Sequence, residues 1–164
     1  MTNASSAKPW YEGSFFGRLY VRRGVTMMPT RLHAAGVDPD RPTFGMAYAN
    51  DGWLRAGGSE PTVTLKFDAL ANDAGELRFM VLGSGDDAEK RLGISRNGYL
   101  GLYEFANVES YWVIDPIINN YESLTCRLID HQGNQVSTLF DSPEQFLNVN
   151  DGEPLEFGII RTAS

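Results

Sequence analysis

Three aromatic–leucine pairs recur along this chain at an almost constant interval, and that recurrence limits the folds open to it more than any other feature. They stand in NDGWLRAG (Asn50 to Gly57), RNGYLGLY (Arg96 to Tyr103) and PEQFLNVN (Pro143 to Asn150). Trp53, Tyr99 and Phe146 are thereby 46 and 47 residues apart, each followed by a leucine: Leu54, Leu100 and Leu147. A fixed period of this size means that one supersecondary unit is repeated, and such units bury their apolar faces only against one another.

The flanking segments keep the period. Upstream of each pair, FGMAYAN, RLGISRN and VSTLFDS alternate as strands; downstream, PTVTLKFD, ESYWVIDP and EPLEFGII do the same. Downstream, Leu65, Trp112 and Phe157 align, as do Phe67, Ile114 and Ile159. At the front of each unit GRLYVRR, ELRFMVLG and SLTCRLID match Leu19 with Phe79 and Cys126, and Val21 with Val81 and Leu128. Seventeen Gly and eight Pro supply turns at the density short strands need. The expectation is an all-β single domain of three four-stranded repeats, about 14–69, 70–117 and 118–162, forming a six-stranded barrel with a three-hairpin cap. A polar, flexible leader, 1–13, precedes it.

This pattern resembles the β-trefoil superfamily from Ser14 to Arg161. Ricin-type trefoil lectins hold one sugar per repeat, using an aspartate of the first loop, an aromatic at the end of the third strand and a nearby polar group. Carried to the second repeat, the resemblance implies Asp86 or Asp87 as the acid, Tyr103 as the stacking ring, and Asn107 or Glu109 as the polar partner. A pyranose suits such a set, because it has one apolar face and a rim of hydroxyls. The matching aromatic positions in the other repeats are Gly57 and Asn150, so at most one site of this type is expected. The Gln-x-Trp signature of the ricin type is missing, with Ser110 two residues before Trp112; the aromatic–leucine pairs are similar to those of fascin-like trefoils, whose members bind actin or carbohydrate.

Charge and motifs narrow the remaining classes. A net charge of -7 opposes the phosphate neutralisation that nucleic-acid binding requires. The one cysteine excludes an internal disulfide, no apolar run is long enough to span a bilayer, and the first residues lack a signal-peptide pattern, so a cytoplasmic protein is expected, with non-classical export left open. His33 and His131 stand in no metal-ligand spacing, and there is no phosphate loop, nucleophile elbow or dinucleotide fingerprint. No cofactor, metal or catalytic residue is expected. Cys126 falls on a core position, where a thiol acts as a small hydrophobe.

One irregularity breaks the period. The first repeat carries about 14 extra residues, placed by the alignment in a loop, 24–41, between its first two strands. Met27, Met28, Leu32 and His33 would give that loop adaptable apolar contacts for a protein partner; the alternative is a short helix, TRLHAAG, over one barrel end. The chain is therefore expected to be a non-enzymatic module that binds a glycan or glycoconjugate, or else a protein, as a protease inhibitor or a cytoskeletal or assembly protein does.

Overall fold

The structure is a computed structural model that describes residues 8–32, 53–57, 61–70, 75–95, 98–104, 111–141, 144–150 and 152–163. Six of its strands close a ring. They are β1 (Phe15–Arg23), β4 (Thr64–Ala69), β5 (Leu77–Leu82), β8 (Trp112–Asn119), β9 (Ser123–Asp130) and β13 (Glu156–Thr162). Each pairs antiparallel with the next, and β13 returns to β1 to complete the barrel. Closure leaves no open sheet edge in the ring itself, which is how a small all-β domain protects its backbone donors and acceptors.

Alternation along these strands fills the barrel. Leu19, Val21, Leu65, Phe67, Phe79, Val81, Trp112, Ile114, Cys126, Leu128, Phe157 and Ile159 are all at most 1% exposed, and they are the twelve positions that the sequence alignment matches. Burying each large side chain contributes roughly 1.5–3 kcal/mol before the entropic cost of ordering it. Close packing also dictates one small residue. A Cβ on Gly17 would lie 2.5 Å from Cγ2 of Ile159, on the strand that pairs with β1.

Further strands form hairpins at one end of the ring. These are β2 (Thr26–Leu32) with β3 (Leu54–Ala56), β6 (Arg91–Ile94) with β7 (Leu100–Tyr103), and β10 (Ser137–Asp141) with β11 (Glu144–Asn148). The hairpins are tied together by pairing of β3 with β11 and by single bridges from Trp53 to Gly101 and from Tyr99 to Asn148. Leu54, Leu100 and Leu147 are fully buried. A short strand, β12 (Glu153–Pro154), pairs with β10.

Two expectations need correction. Residues 24–41 are not one loop: β1 turns at Gly24 and Val25, and Thr26–Leu32 then pairs with both β1 and β3. Thr30–Leu32 is strand, so the helix TRLHAAG does not begin there; His33 and the strand expected over FGMAYAN lie outside the described residues. The signal for β2 is weak because its one buried residue is polar. Thr30 is fully buried, and its hydroxyl donates to the Leu19 carbonyl at 2.6 Å.

Part of the segment expected as a flexible leader, Trp10–Glu12, has defined structure. Trp10–Glu12 forms a 3-10 turn whose Tyr11 joins the core, while the Trp10 ring packs edge-on to Phe15 at 4.9 Å. Indole Nε1 of Trp10 donates to the Asn120 carbonyl at 3.1 Å, fixing this turn to the connection between β8 and β9.

Candidate functional site

The loop between β5 and β6 positions the acids that the sequence singles out. Gly83 allows its backbone to fold back tightly, since a Cβ there would collide with the Asp87 carbonyl. The Gly83 amide donates to the Lys90 carbonyl, and the Lys90 amide to the Asp87 carbonyl, both at 2.9 Å. Gly85–Asp87 makes a 3-10 turn between them. Asp86 is exposed on this turn. Asp87 is partly covered and pairs with the Lys90 ammonium at 2.8 Å. The hydrogen bond to Asp87 raises the Lys90 pKa, partial burial opposes it, and the charges of Asp87 and Glu104 add to the rise.

Asp87 lines a cleft of about 360 Å³ together with Arg31, Leu32, Pro61, Thr62, Val63, Thr64, Ser84 and Leu102. One carboxylate, one guanidinium and three hydroxyls thus share the space with an apolar wall. The Ser84 hydroxyl is oriented by donating to the Thr64 carbonyl at 2.8 Å. The floor is rigid. The Thr30 amide donates to Thr62 Oγ1 at 3.0 Å, and the single Thr62 hydroxyl proton has the carbonyls of Leu19 and Thr30, each at 2.8 Å, as acceptors. Arg31, Thr62, Thr64 and Ser84 were not candidates from sequence, because they come from separate strands and connections and carry no local motif.

Tyr103 does not line this cleft. Side chains of a strand alternate between faces, so the buried Leu100 and Leu102 share one face of β7 and Tyr103 takes the other. Its hydroxyl donates to the Tyr99 carbonyl at 3.1 Å. The joint Asp87–Tyr103 sugar contact implied by the ricin-type resemblance is therefore not assembled in one cleft, although Lys90 and Glu104 bring the two segments close. Asn107 and Glu109 lie outside the described residues.

The three period-marking aromatics meet one another. Trp53 stacks on Tyr99 with centroids 4.4 Å apart, and Phe146 meets both rings edge-on at 5.6 and 5.8 Å. Such pairs add about 0.5–1.5 kcal/mol beyond area burial, which gives these residues a structural role in joining the hairpins. Met27 packs over Gly158, so it serves the β1–β2 ribbon rather than a free loop. Met28 and Leu32 pack against the core from the same strand.

Other potentially reactive groups have structural partners. Cys126 is buried in the barrel, and burial pushes its thiol pKa far above the ordinary range. His131 is exposed, with its ring 6.1 Å from that of Tyr111. Asp130 is 2% exposed, and its carboxylate accepts from the Gln132 and Asn134 amides and from Asn134 Nδ2. Among the described residues no group of three or more His, Cys, Asp or Glu could hold a metal ion, and no helix is long and apolar enough to cross a membrane. Comparison of the chain with protein-family models, curated proteins and solved structures finds no match.

Proposed function

We propose that the closed barrel with its three hairpins is a β-trefoil and that the protein is a non-enzymatic carbohydrate-binding module. Supporting the first half, each hairpin falls in sequence between two neighbouring strands of the ring, and the aligned apolar positions are all buried. The observation that carries the second half is the Asp87 cleft. It combines a carboxylate and a guanidinium with oriented hydroxyls and the apolar surface of Leu32, Pro61, Val63 and Leu102. Sugars require this mixture: polar groups at hydrogen-bonding distance from a hydroxyl rim, and apolar surface for the C–H face. The cleft suits one or two sugar units rather than an extended chain.

The test is a glycan array followed by titration of the best ligand. Charge-assisted hydrogen bonds contribute about 1.5–3 kcal/mol, so Asp87→Asn weakens binding by roughly 10- to 100-fold. Tyr103→Ala, on the other face of β7, changes the affinity by less than about twofold, or ~0.4 kcal/mol. Equal binding by wild type and Asp87→Asn would refute the site, and no ligand on the array would refute the function.

A further inference from the structure

A second cleft, of about 520 Å³, lies where the start of β1, the β8–β9 turn and the end of β13 come together, lined by Ser14, Phe15, Phe16, Tyr121, Glu122, Arg161, Thr162 and Ala163. Neither the sequence motifs nor the Asp87 site involves it. Its frame is fixed by the backbone: the Arg161 amide donates to the Glu122 carbonyl at 2.6 Å, and Asn120 Oδ1 accepts from the Tyr121 amide at 2.6 Å. On this frame Tyr121 is 90% exposed. An aromatic ring held so far into solvent at the rim of a cleft buries almost none of its surface within the chain, so it adds little to folding and is available to a ligand.

Arg161 gives the cleft its chemistry. Its guanidinium lies 5.7 Å from the centre of the Trp10 ring, and Trp10 is itself anchored on Asn120. Among the described residues Arg161 has no carboxylate partner, although Glu122 neighbours it across the strands. Stacking of this kind restrains the fork while leaving its N–H edge free, the arrangement suited to bidentate capture of a carboxylate. Glu122 offers acceptors to hydroxyl groups beside it.

We propose that this cleft binds a hexuronate residue, a pyranose bearing a carboxylate. The carboxylate pairs with the Arg161 fork, the C–H face of the ring stacks on Tyr121, and ring hydroxyls donate to Glu122. The assignment shares its ligand class with the Asp87 reading but uses different residues, so the two stand or fall separately. The net charge of -7 repels such an anion at long range. At physiological salt that repulsion is screened beyond about 8 Å, leaving the local fork to decide.

The experiment is titration of the protein, at physiological ionic strength, with a hexuronate tetrasaccharide and with its carboxyl-reduced neutral counterpart, followed by amide NMR. Wild type binds the uronate, with shifts concentrated at residues 14–16, 121–122 and 161–163, and prefers it at least about tenfold over the neutral form. Arg161→Gln and Tyr121→Ala each lose about tenfold or more, whereas Val25→Ser, on the exposed β1–β2 turn and in neither cleft, binds the uronate like wild type. Both substituted side chains are exposed, and an unchanged melting temperature checks that the variants fold. Absence of uronate binding at millimolar concentration, equal affinity for the neutral form, or undiminished binding by Arg161→Gln would each overturn the proposal. A silent array of neutral glycans together with Arg161-dependent uronate binding would remove the Asp87 reading and leave this one intact.

Discussion

Replacing Thr62 by valine removes little volume but takes away a side-chain oxygen that serves both β1 and β2. In the native structure that oxygen accepts the Thr30 amide and donates toward the Leu19 and Thr30 carbonyls. Thr30 is fully buried and Thr62 is 8% exposed, so solvent does not replace the lost partner. An unsatisfied buried amide costs about 1–3 kcal/mol, and loss of the donated bond adds about 0.5–1.5 kcal/mol. Thr62→Val should therefore cost roughly 2–4 kcal/mol in all. Thr30→Val is milder, about 1 kcal/mol, because the Leu19 carbonyl keeps the Thr62 hydroxyl as a donor. In the double variant that carbonyl loses both hydroxyls, so the combined cost exceeds the sum of the two. Urea unfolding of the four proteins reads these differences as midpoint shifts at constant slope. A Thr62→Val cost within about 0.5 kcal/mol of zero, or a Thr30→Val cost equal to it, would show that the shared-oxygen argument is mistaken.

Other outcomes follow from the same packing. Gly158→Ala meets Met27 and should destabilise by about 1–3 kcal/mol, with much of the loss recovered in a Gly158→Ala, Met27→Ala double variant; no recovery would count against that contact. Leu100→Ala opens a cavity in the core and should cost about 2–5 kcal/mol by thermal or urea unfolding. The Cys126 thiol should resist thiol reagents in the native state and react at the rate of unfolding. Because its folded pKa is raised, stability should fall above the ordinary thiol value of 9.0, where only the unfolded thiol ionises, at a limiting slope of about 1.4 kcal/mol per pH unit. Cys126→Ala should remove that component of the alkaline decline; an identical pH profile in the variant would contradict it.

The barrel was legible because its interior is filled by apolar residues in strict alternation, at positions such as Leu19, Phe79 and Trp112 that no polar residue interrupts. The hairpin strand β2 was not, because TMMPTRL buries a threonine and carries a proline and an arginine. The burial of that threonine is permitted by distant partners: the Thr30 hydroxyl donates to the Leu19 carbonyl, 11 residues away, and the Thr30 amide to Thr62 Oγ1, 32 residues away. Trp10 and Tyr11 were hidden for a related reason: two aromatics in a polar leader reveal a docking turn only when the partner, here the β8–β9 connection, is known. Asp87 was a candidate, with Asp86, only through the ricin-type resemblance. Its cleft neighbours were not, since Arg31, Thr64 and Ser84 belong to elements that the barrel brings together. Tyr103 is not part of the cleft's lining, because strand alternation sends Leu102 and Tyr103 to opposite faces.

The most direct test of the carbohydrate-binding claim is a crystal structure of the protein with the tightest glycan from the array. The prediction is a pyranose in the cleft between Thr62, Ser84 and Leu102, with a ring hydroxyl within hydrogen-bonding distance of the Asp87 carboxylate. A cleft that stays free of sugar at saturating ligand, with the glycan bound elsewhere or nowhere, would contradict it.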